Sequence, residues 1–187
     1  RVLASVSQHS FCTYLSKTLA LHRLARPMMR DHEVEILVTL LRARRPKVCL
    51  EWGSGGSTLF FPEEDDSVVT WIAIEHNRQW YSHVQKTVQK SPIVDLRIHP
   101  DLTTYPDAPR ELDTFFDFIL VDGRERRRCV AAASKLLAPG GCCVLHDAHR
   151  VQYRDSWKQF AHSAWLCGER ESSPGADDSH GMVLMHH

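Results

Sequence analysis

The chain has 187 residues, of which 43% are hydrophobic and 25% are charged. This length and composition predict one folded domain with a full core rather than a disordered chain. The 23 basic and 23 acidic residues leave no net charge, which argues against a protein that binds nucleic acid or anionic membranes, and no apolar run is long enough to span a bilayer.

The N-terminal part of the chain is predicted to be helical. Residues 1–33 are weakly patterned and are expected to form a helical extension of a core over residues 34–187. A clear helical stripe of apolar residues begins in DHEVEILVTLLRARR. Asp31 suits the N-cap of this helix, and Pro46 follows its end.

Apolar strands then alternate with helices. The predicted strands are KVCLEW, VVTWIAIEH, IVDLRIHP, FFDFILVDG and CCVLHDAH. The predicted helices are NRQWYSHVQKTVQKS, RERRRCVAAASKLLAPGG, which Pro139 and Gly140 are expected to stop, and YRDSWKQFA. AWLCGERE and HGMVLMH bracket the polar turn SSPGADDS and predict an antiparallel hairpin. The pattern predicts an α/β fold, a doubly wound, mostly parallel Rossmann-like sheet of seven strands with a C-terminal antiparallel hairpin.

Ligands of such sheets bind beyond the carboxyl ends of the strands. At each of these places the chain carries an acid. The five acids are Glu51, Glu75, Asp101, Asp122 and Asp147.

The glycine-rich loop LEWGSGGST follows the first strand. Gly53 and Gly55 allow a sharp turn, but Thr58 takes the third glycine position of a dinucleotide loop and no phosphate-binding lysine follows. Glu51 would repel a pyrophosphate, whereas it suits a ligand with an ammonium group, such as S-adenosylmethionine. Glu75 is placed to accept hydrogen bonds from both ribose hydroxyls.

Four segments in order, LEWGSGGST, IAIEHNRQWY, FDFILVDGRERRRC and LLAPGGCCVLHDAH, resemble the successive motifs of class I S-adenosylmethionine-dependent methyltransferases. The pattern is most similar to small O-methyltransferases of the catechol and caffeoyl-CoA type and to related glycan methyltransferases. The resemblance implies S-adenosylmethionine as cofactor and a small-molecule or glycan acceptor. It implies cofactor contacts from Glu51, Gly53, Ser54, Gly55, Ser57, Glu75, His76, Asp101 and Asp122, with Asp101 near the adenine and Asp122 at the acceptor end.

The resemblance also raises the question of a metal. Metal-dependent members hold a divalent ion with an acid after the fourth strand and an Asp-Asn pair after the fifth. Asp122 and Asp147 match the two acids, but Ala148 stands at the Asn position, which weakens the metal hypothesis because Mg²⁺ needs oxygen ligands. Without a metal, His146 or His149 is the candidate general base. We expect the two carboxylates to face each other with a divalent ion, a histidine or an arginine between them.

Four arginines crowd the segment GRERRRC at the start of a predicted helix. The simplest interpretation is a solvated charged face. The alternative is that Arg124 or Arg127 binds an acidic acceptor such as a uronate, carboxylate or phosphate, with Arg150 on the same rim.

Two other functions remain open. One is an NAD-linked or sugar-nucleotide enzyme of Rossmann type, against which Glu51 and Thr58 count. The other is a non-catalytic protein that keeps the methyltransferase fold. The six cysteines form no C-x-x-C pair, which favours a reducing compartment. We therefore expect the cytoplasm, or an organelle lumen if a targeting segment has been removed ahead of Arg1; the sequence leaves the oligomeric state open.

Overall fold

The computed structural model describes residues 26–89, 91–168 and 181–187. Its centre is a seven-stranded sheet with the order β3-β2-β1-β4-β5-β7-β6. The strands are β1 (Val48–Trp52), β2 (Thr70–Glu75), β3 (Val94–Ile98), β4 (Phe116–Val121), β5 (Leu137–His146), β6 (His162–Cys167) and β7 (Met182–His186). The expected helical extension lies outside the described residues up to residue 25, and residues 26–30 lead into the first helix without helical structure.

Strands β1 to β5 run parallel to one another, and β7 pairs antiparallel with both β5 and β6. The prediction of a doubly wound, mostly parallel sheet closed by an antiparallel hairpin is confirmed. Strand β1 lies between β2 and β4, so that Glu51 has Ala73 of β2 on one side and Leu120 of β4 on the other. The carboxyl ends of β1, β2 and β4 therefore meet at one edge of the sheet.

Helices cover both faces of this sheet. They are α1 (Asp31–Arg44), α2 (Gly56–Phe60), α3 (Arg78–Val88) and α4 (Arg126–Ala133), joined by 3₁₀ turns over Phe61–Glu63, Tyr105–Leu112 and Val151–Tyr153. Successive strand residues point to opposite faces, so Leu50 packs in one buried cluster with Val130 of α4, while Cys49 packs in the other with Leu37 of α1. Within the described ranges, no helix is long and apolar enough to cross a bilayer.

Two predictions about the ends of helices were wrong. Asp31 is the first residue of α1 rather than its N-cap; Arg30 takes that place, and its backbone N–H donates to Glu33 Oε2 at 2.9 Å. Helix α4 ends at Ala133, and Pro139 and Gly140 lie inside β5, where the pairing with β4 shifts register.

The predicted helix YRDSWKQFA is instead a series of turns after the 3₁₀ turn at Val151–Tyr153. Asp155 has a φ of 62°, a left-handed conformation that ends any right-handed helix there. The turns nevertheless bury Phe160 in the same cluster as Val130. Burial of single side chains, rather than of one helical face, therefore sets the conformation of this segment.

Candidate active site

A cavity of about 460 Å³ lies at the carboxyl ends of β1, β2 and β4, within the usual size range of small-molecule sites. Gly53 has a φ of 107°, which favours glycine. A Cβ atom on Gly53 would lie 3.1 Å from Gly123 Cα, so the loops after β1 and β4 touch backbone to backbone. This close approach forms the floor of the cavity.

Glu51 is a buried acid at the end of β1. Its carboxylate accepts hydrogen bonds from Ser57 Oγ, from Thr58 Oγ1 at 2.8 Å and from Trp71 Nε1 at 2.9 Å. Burial raises the pKa of Glu51 to about 7, although these three hydrogen bonds oppose the rise. Thr58 also accepts the Gly55 backbone N–H at 3.0 Å, which explains why a threonine stands where a dinucleotide loop has glycine.

Glu75 ends β2 and is held by the loop residues around it. Its Oε2 accepts from Ser54 Oγ at 2.9 Å, and its Oε1 accepts the backbone N–H groups of His76 at 2.9 Å and Asn77 at 2.8 Å. Trp80 Nε1 donates to the Ser54 carbonyl at 2.7 Å, which places the indole against the glycine loop. A rigid carboxylate and an aromatic wall thus border the same cavity.

Asp122 and Asp147 come together around Arg126. The distance from Arg126 Nη2 to Asp122 Oδ1 is 3.0 Å, and that from Nη1 to Asp147 Oδ2 is 3.1 Å. Its other bonds go to the carbonyls of Gly123 at 2.9 Å, His146 at 2.7 Å and Asp122 at 3.0 Å. Arg126 is only 8% exposed, so the prediction of a solvated arginine run is wrong at this position.

His146 lies buried between two acids. Its Nδ1 is 2.9 Å from Asp122 Oδ1, and its Nε2 is 3.4 Å from Oε2 of Glu33, which is fully buried. Burial alone would favour the neutral imidazole, but the hydrogen bonds with Asp122 and Glu33 and the charges of Asp122 and Asp147 raise the pKa of His146 to about 10. The imidazole is therefore charged at neutral pH and does not suit the predicted role of general base.

No family model matches the chain, and no curated protein matches it in sequence. Solved structures do match. A caffeoyl-CoA O-methyltransferase of Staphylococcus aureus, so named without proof of activity, superposes with a TM-score of 0.66 at 14% identity over 97% of this chain and 93% of its own. A Bacillus cereus O-methyltransferase solved with S-adenosylhomocysteine superposes with a TM-score of 0.64 at 14% identity, over 98% of this chain and 94% of its own. The Streptomyces achromogenes O-methyltransferase of tomaymycin synthesis was solved with S-adenosylmethionine. It superposes with a TM-score of 0.62 at 16% identity, over 92% of this chain and 88% of its own.

The chain has the class I methyltransferase fold. The fold that the four motifs imply is therefore confirmed. At identities of 14–16%, the likeness to these three structures establishes the fold but not the activity or the acceptor.

On this methyltransferase fold, most residues predicted to contact the cofactor line the cavity. Gly55 does not, although a Cβ there would lie 3.7 Å from the Trp80 ring. Asp101 does not either: it is exposed, and its carboxylate accepts the Thr103 N–H at 2.9 Å within its own turn. The predicted residues that do line it are Glu51, Gly53, Ser54, Ser57, Glu75, His76 and Asp122.

The acceptor-side predictions separate in the same way. Arg124 lines the cavity, whereas Arg127 is exposed and lies away from it. Arg150 pairs with Asp147 at 2.7 Å, and His149 is half-buried beyond the lining residues. Arg126 and Glu33 were missed, because a charged residue in a charged segment looks solvated in sequence. The only available signal was the spacing of four residues from Asp122 to Arg126, which suits an ion pair.

The metal site of some methyltransferases with this fold does not fit these residues. Ligand atoms of Asp122, His146 and Asp147 lie within 4.8 Å of one another. Both carboxylates are nevertheless already bound to cationic side chains, and Ala148 is buried where an Asn ligand was sought. A divalent ion would have to displace the Arg126 guanidinium from the space between the two acids.

Proposed function

We infer that this protein is an S-adenosylmethionine-dependent O-methyltransferase with a small-molecule or glycan acceptor that carries an acidic group. One observation carries this proposal. Two buried acids, Glu51 and Glu75, border a glycine loop on neighbouring strands and line one cavity. Acids at both places suit a cofactor with an ammonium group and ribose hydroxyls but no phosphate. The likeness to O-methyltransferases solved with S-adenosylmethionine or its product supports the proposal.

In this proposal each loop residue has a separate task. Glu51 Oε1 keeps capacity for a further hydrogen bond beside that from Ser57, and it attracts the cofactor ammonium. Glu75 accepts the ribose hydroxyls while Ser54, His76 and Asn77 hold its carboxylate still. The bound cofactor supplies an electrophilic methyl group. Because methyl transfer is an in-line displacement, much of the rate depends on such positioning.

The acceptor hydroxyl must lose its proton as the O–CH₃ bond forms. Asp122 lines the cavity, and its Oδ1 is engaged by His146 and Arg126. No donor from the described part of the chain reaches its Oδ2. We therefore assign Asp122 Oδ2 as the atom that takes the proton, with the charged His146 and Arg126 holding Oδ1 in place.

Cofactor binding is the first test. S-adenosylhomocysteine should raise the melting temperature, because a ligand that binds only the folded state stabilises it. Glu75→Ala should weaken its binding by roughly 1–3 kcal/mol in calorimetry, the scale of hydrogen bonds to a charged group. Glu63→Ala, an exposed acid elsewhere, should change nothing. No thermal shift at millimolar ligand, or a larger shift with NAD, would refute the assignment.

Acceptor recognition is the second test. Arg124 lines the cavity and forms no side-chain hydrogen bond or ion pair with any residue that the structure describes. Arg124→Ala should raise the KM for uronate, carboxylate or phosphate acceptors at unchanged affinity for S-adenosylhomocysteine, because the cofactor contacts are elsewhere. Arg127→Ala is the matched variant outside the cavity and should leave both values unchanged. Equal effects of the two substitutions would remove the argument for an acidic acceptor.

A further inference from the structure

The space between Asp122 and Asp147 is already filled by a cation of the chain itself. A guanidinium has five N–H groups, and five protein oxygens lie within 3.1 Å of the Arg126 nitrogens. Four of these contacts are hydrogen bonds and the fifth, to Asp122 Oδ1, is an ion pair, so protein oxygens surround the guanidinium. Arg126 Cζ lies 5.6 Å from the centre of the Tyr153 ring, which adds a cation–π contact.

Each acid around Arg126 already has a basic side chain as its partner without any added ion. Three acids, Glu33, Asp122 and Asp147, stand against His146 and Arg126 in the interior and Arg150 at the edge. A divalent ion would add two positive charges and leave the guanidinium buried without its partners. Removing the partner of a buried charge is strongly destabilising.

We propose that Arg126 is a built-in cation that takes the place of a divalent metal in this site, and that the site excludes metals for this reason. As far as it concerns acceptor chemistry, this inference rests on the proposed function. Arg126 is a positioning residue, because protein oxygens surround its guanidinium. It holds the carboxylates of Asp122 and Asp147 at a fixed separation and leaves Asp122 Oδ2 for the acceptor.

The test is a gain of metal binding. Wild-type protein should bind neither Mn²⁺ nor Co²⁺ at millimolar concentration in calorimetry. Arg126→Met keeps much of the side-chain volume and removes the charge, so Asp122, His146 and Asp147 should then bind Co²⁺, with visible absorption bands of the protein-bound ion. Arg128→Met removes the same charge from an exposed position of the same helix and should bind no metal.

A second variant guards against failure of the first to fold. Arg126→Gln keeps a hydrogen-bond donor near the Gly123 carbonyl and is also expected to gain Co²⁺ binding. Micromolar Mn²⁺ binding by the wild type that Asp147→Asn abolishes would overturn the proposal, as would folded variants that bind no metal. If neither variant folds, the wild-type titration decides alone. The S-adenosylhomocysteine shift, measured on the same samples, tests the proposed function separately.

Discussion

The surroundings of Glu51 show how one residue difference from a dinucleotide-binding loop changes what the loop can bind. In a dinucleotide loop, glycine at the third position lets helix and strand pack closely. Here Thr58 occupies that position and uses its hydroxyl to bind Glu51, and Ser57 and Trp71 bind the same carboxylate. The loop therefore presents a desolvated acid to the cavity rather than an anion-binding backbone.

The raised pKa of Glu51 predicts a pH dependence of stability. Between pH 4.5, the ordinary pKa of a glutamate, and about pH 7, the folded chain holds a proton on Glu51 that the unfolded chain releases. The free energy of unfolding should therefore fall as pH rises through this window, by up to about 3 kcal/mol from this group, and level off above it. Glu51→Gln mimics the protonated form and should flatten that fall in urea unfolding. An unchanged slope in the variant would show that Glu51 ionises as it does in the unfolded chain.

The side chain of Glu33 joins helix α1 to the site. Glu33 projects from its first turn, accepts the Arg30 backbone N–H and lies within 3.4 Å of His146 Nε2 at the end of β5. Just before the helix, the backbone at Arg26 and Pro27 packs directly on Gly56, where any Cβ atom would overlap the Arg26 carbonyl. The start of α1 is thus fixed both to the glycine loop and to the charged cluster.

Loss of Glu33 should accordingly cost more than an ordinary surface substitution. Glu33→Ala removes an acid that is fully buried beside a charged histidine, and breaking such pairs costs about 3–5 kcal/mol. Glu35→Ala, two residues along the same helix and exposed, should cost under about 0.5 kcal/mol. Guanidinium unfolding of both variants measures the difference. Similar values would mean that water replaces Glu33 as the partner of His146.

The strands and their terminal acids could be predicted from sequence because each strand carries its own evidence: a short apolar run that stops at an acid. The charged cluster around Arg126 could not be predicted in this way. Arg126 and Arg127 are chemically identical neighbours, and only the return of β5 beside β4 decides which one is buried. The prediction of a helix over YRDSWKQFA was wrong for a related reason, since a helical spacing of aromatic residues also fits turns that bury one ring at a time.

At the scale of the whole molecule, the sheet separates two buried clusters that share its strands. Cys49 of β1 belongs to the cluster that α1 covers, and Cys129, a residue of α4, belongs to the other cluster. Burial raises the pKa of both thiols far above the ordinary range, so neither reacts readily while the fold is intact.

Because β1, β4 and β5 contribute to both clusters, we expect the two to open together. Pulsed alkylation in increasing urea, read peptide by peptide in a mass spectrometer, should give one common midpoint for Cys49 and Cys129. Cys167 is only partly buried and reports local opening of the hairpin, so it should react at lower urea. Two separate midpoints for Cys49 and Cys129 would instead mean that one face of the sheet melts before the other.

The pairing of charges inside the cluster bears on how quickly partners arrive. Acids and bases that are paired within the cluster around Arg126 produce an electric field that dies away over a few ångströms. The chain as a whole also carries no net charge. Long-range steering of a charged visitor needs an unbalanced field. The lining adds Arg124 and the acids Glu51 and Glu75 to this cluster. Their attraction acts at short range, so encounter rates at this cleft should depend only weakly on ionic strength. A charged acceptor would be selected after it collides, by fit, rather than drawn in from a distance.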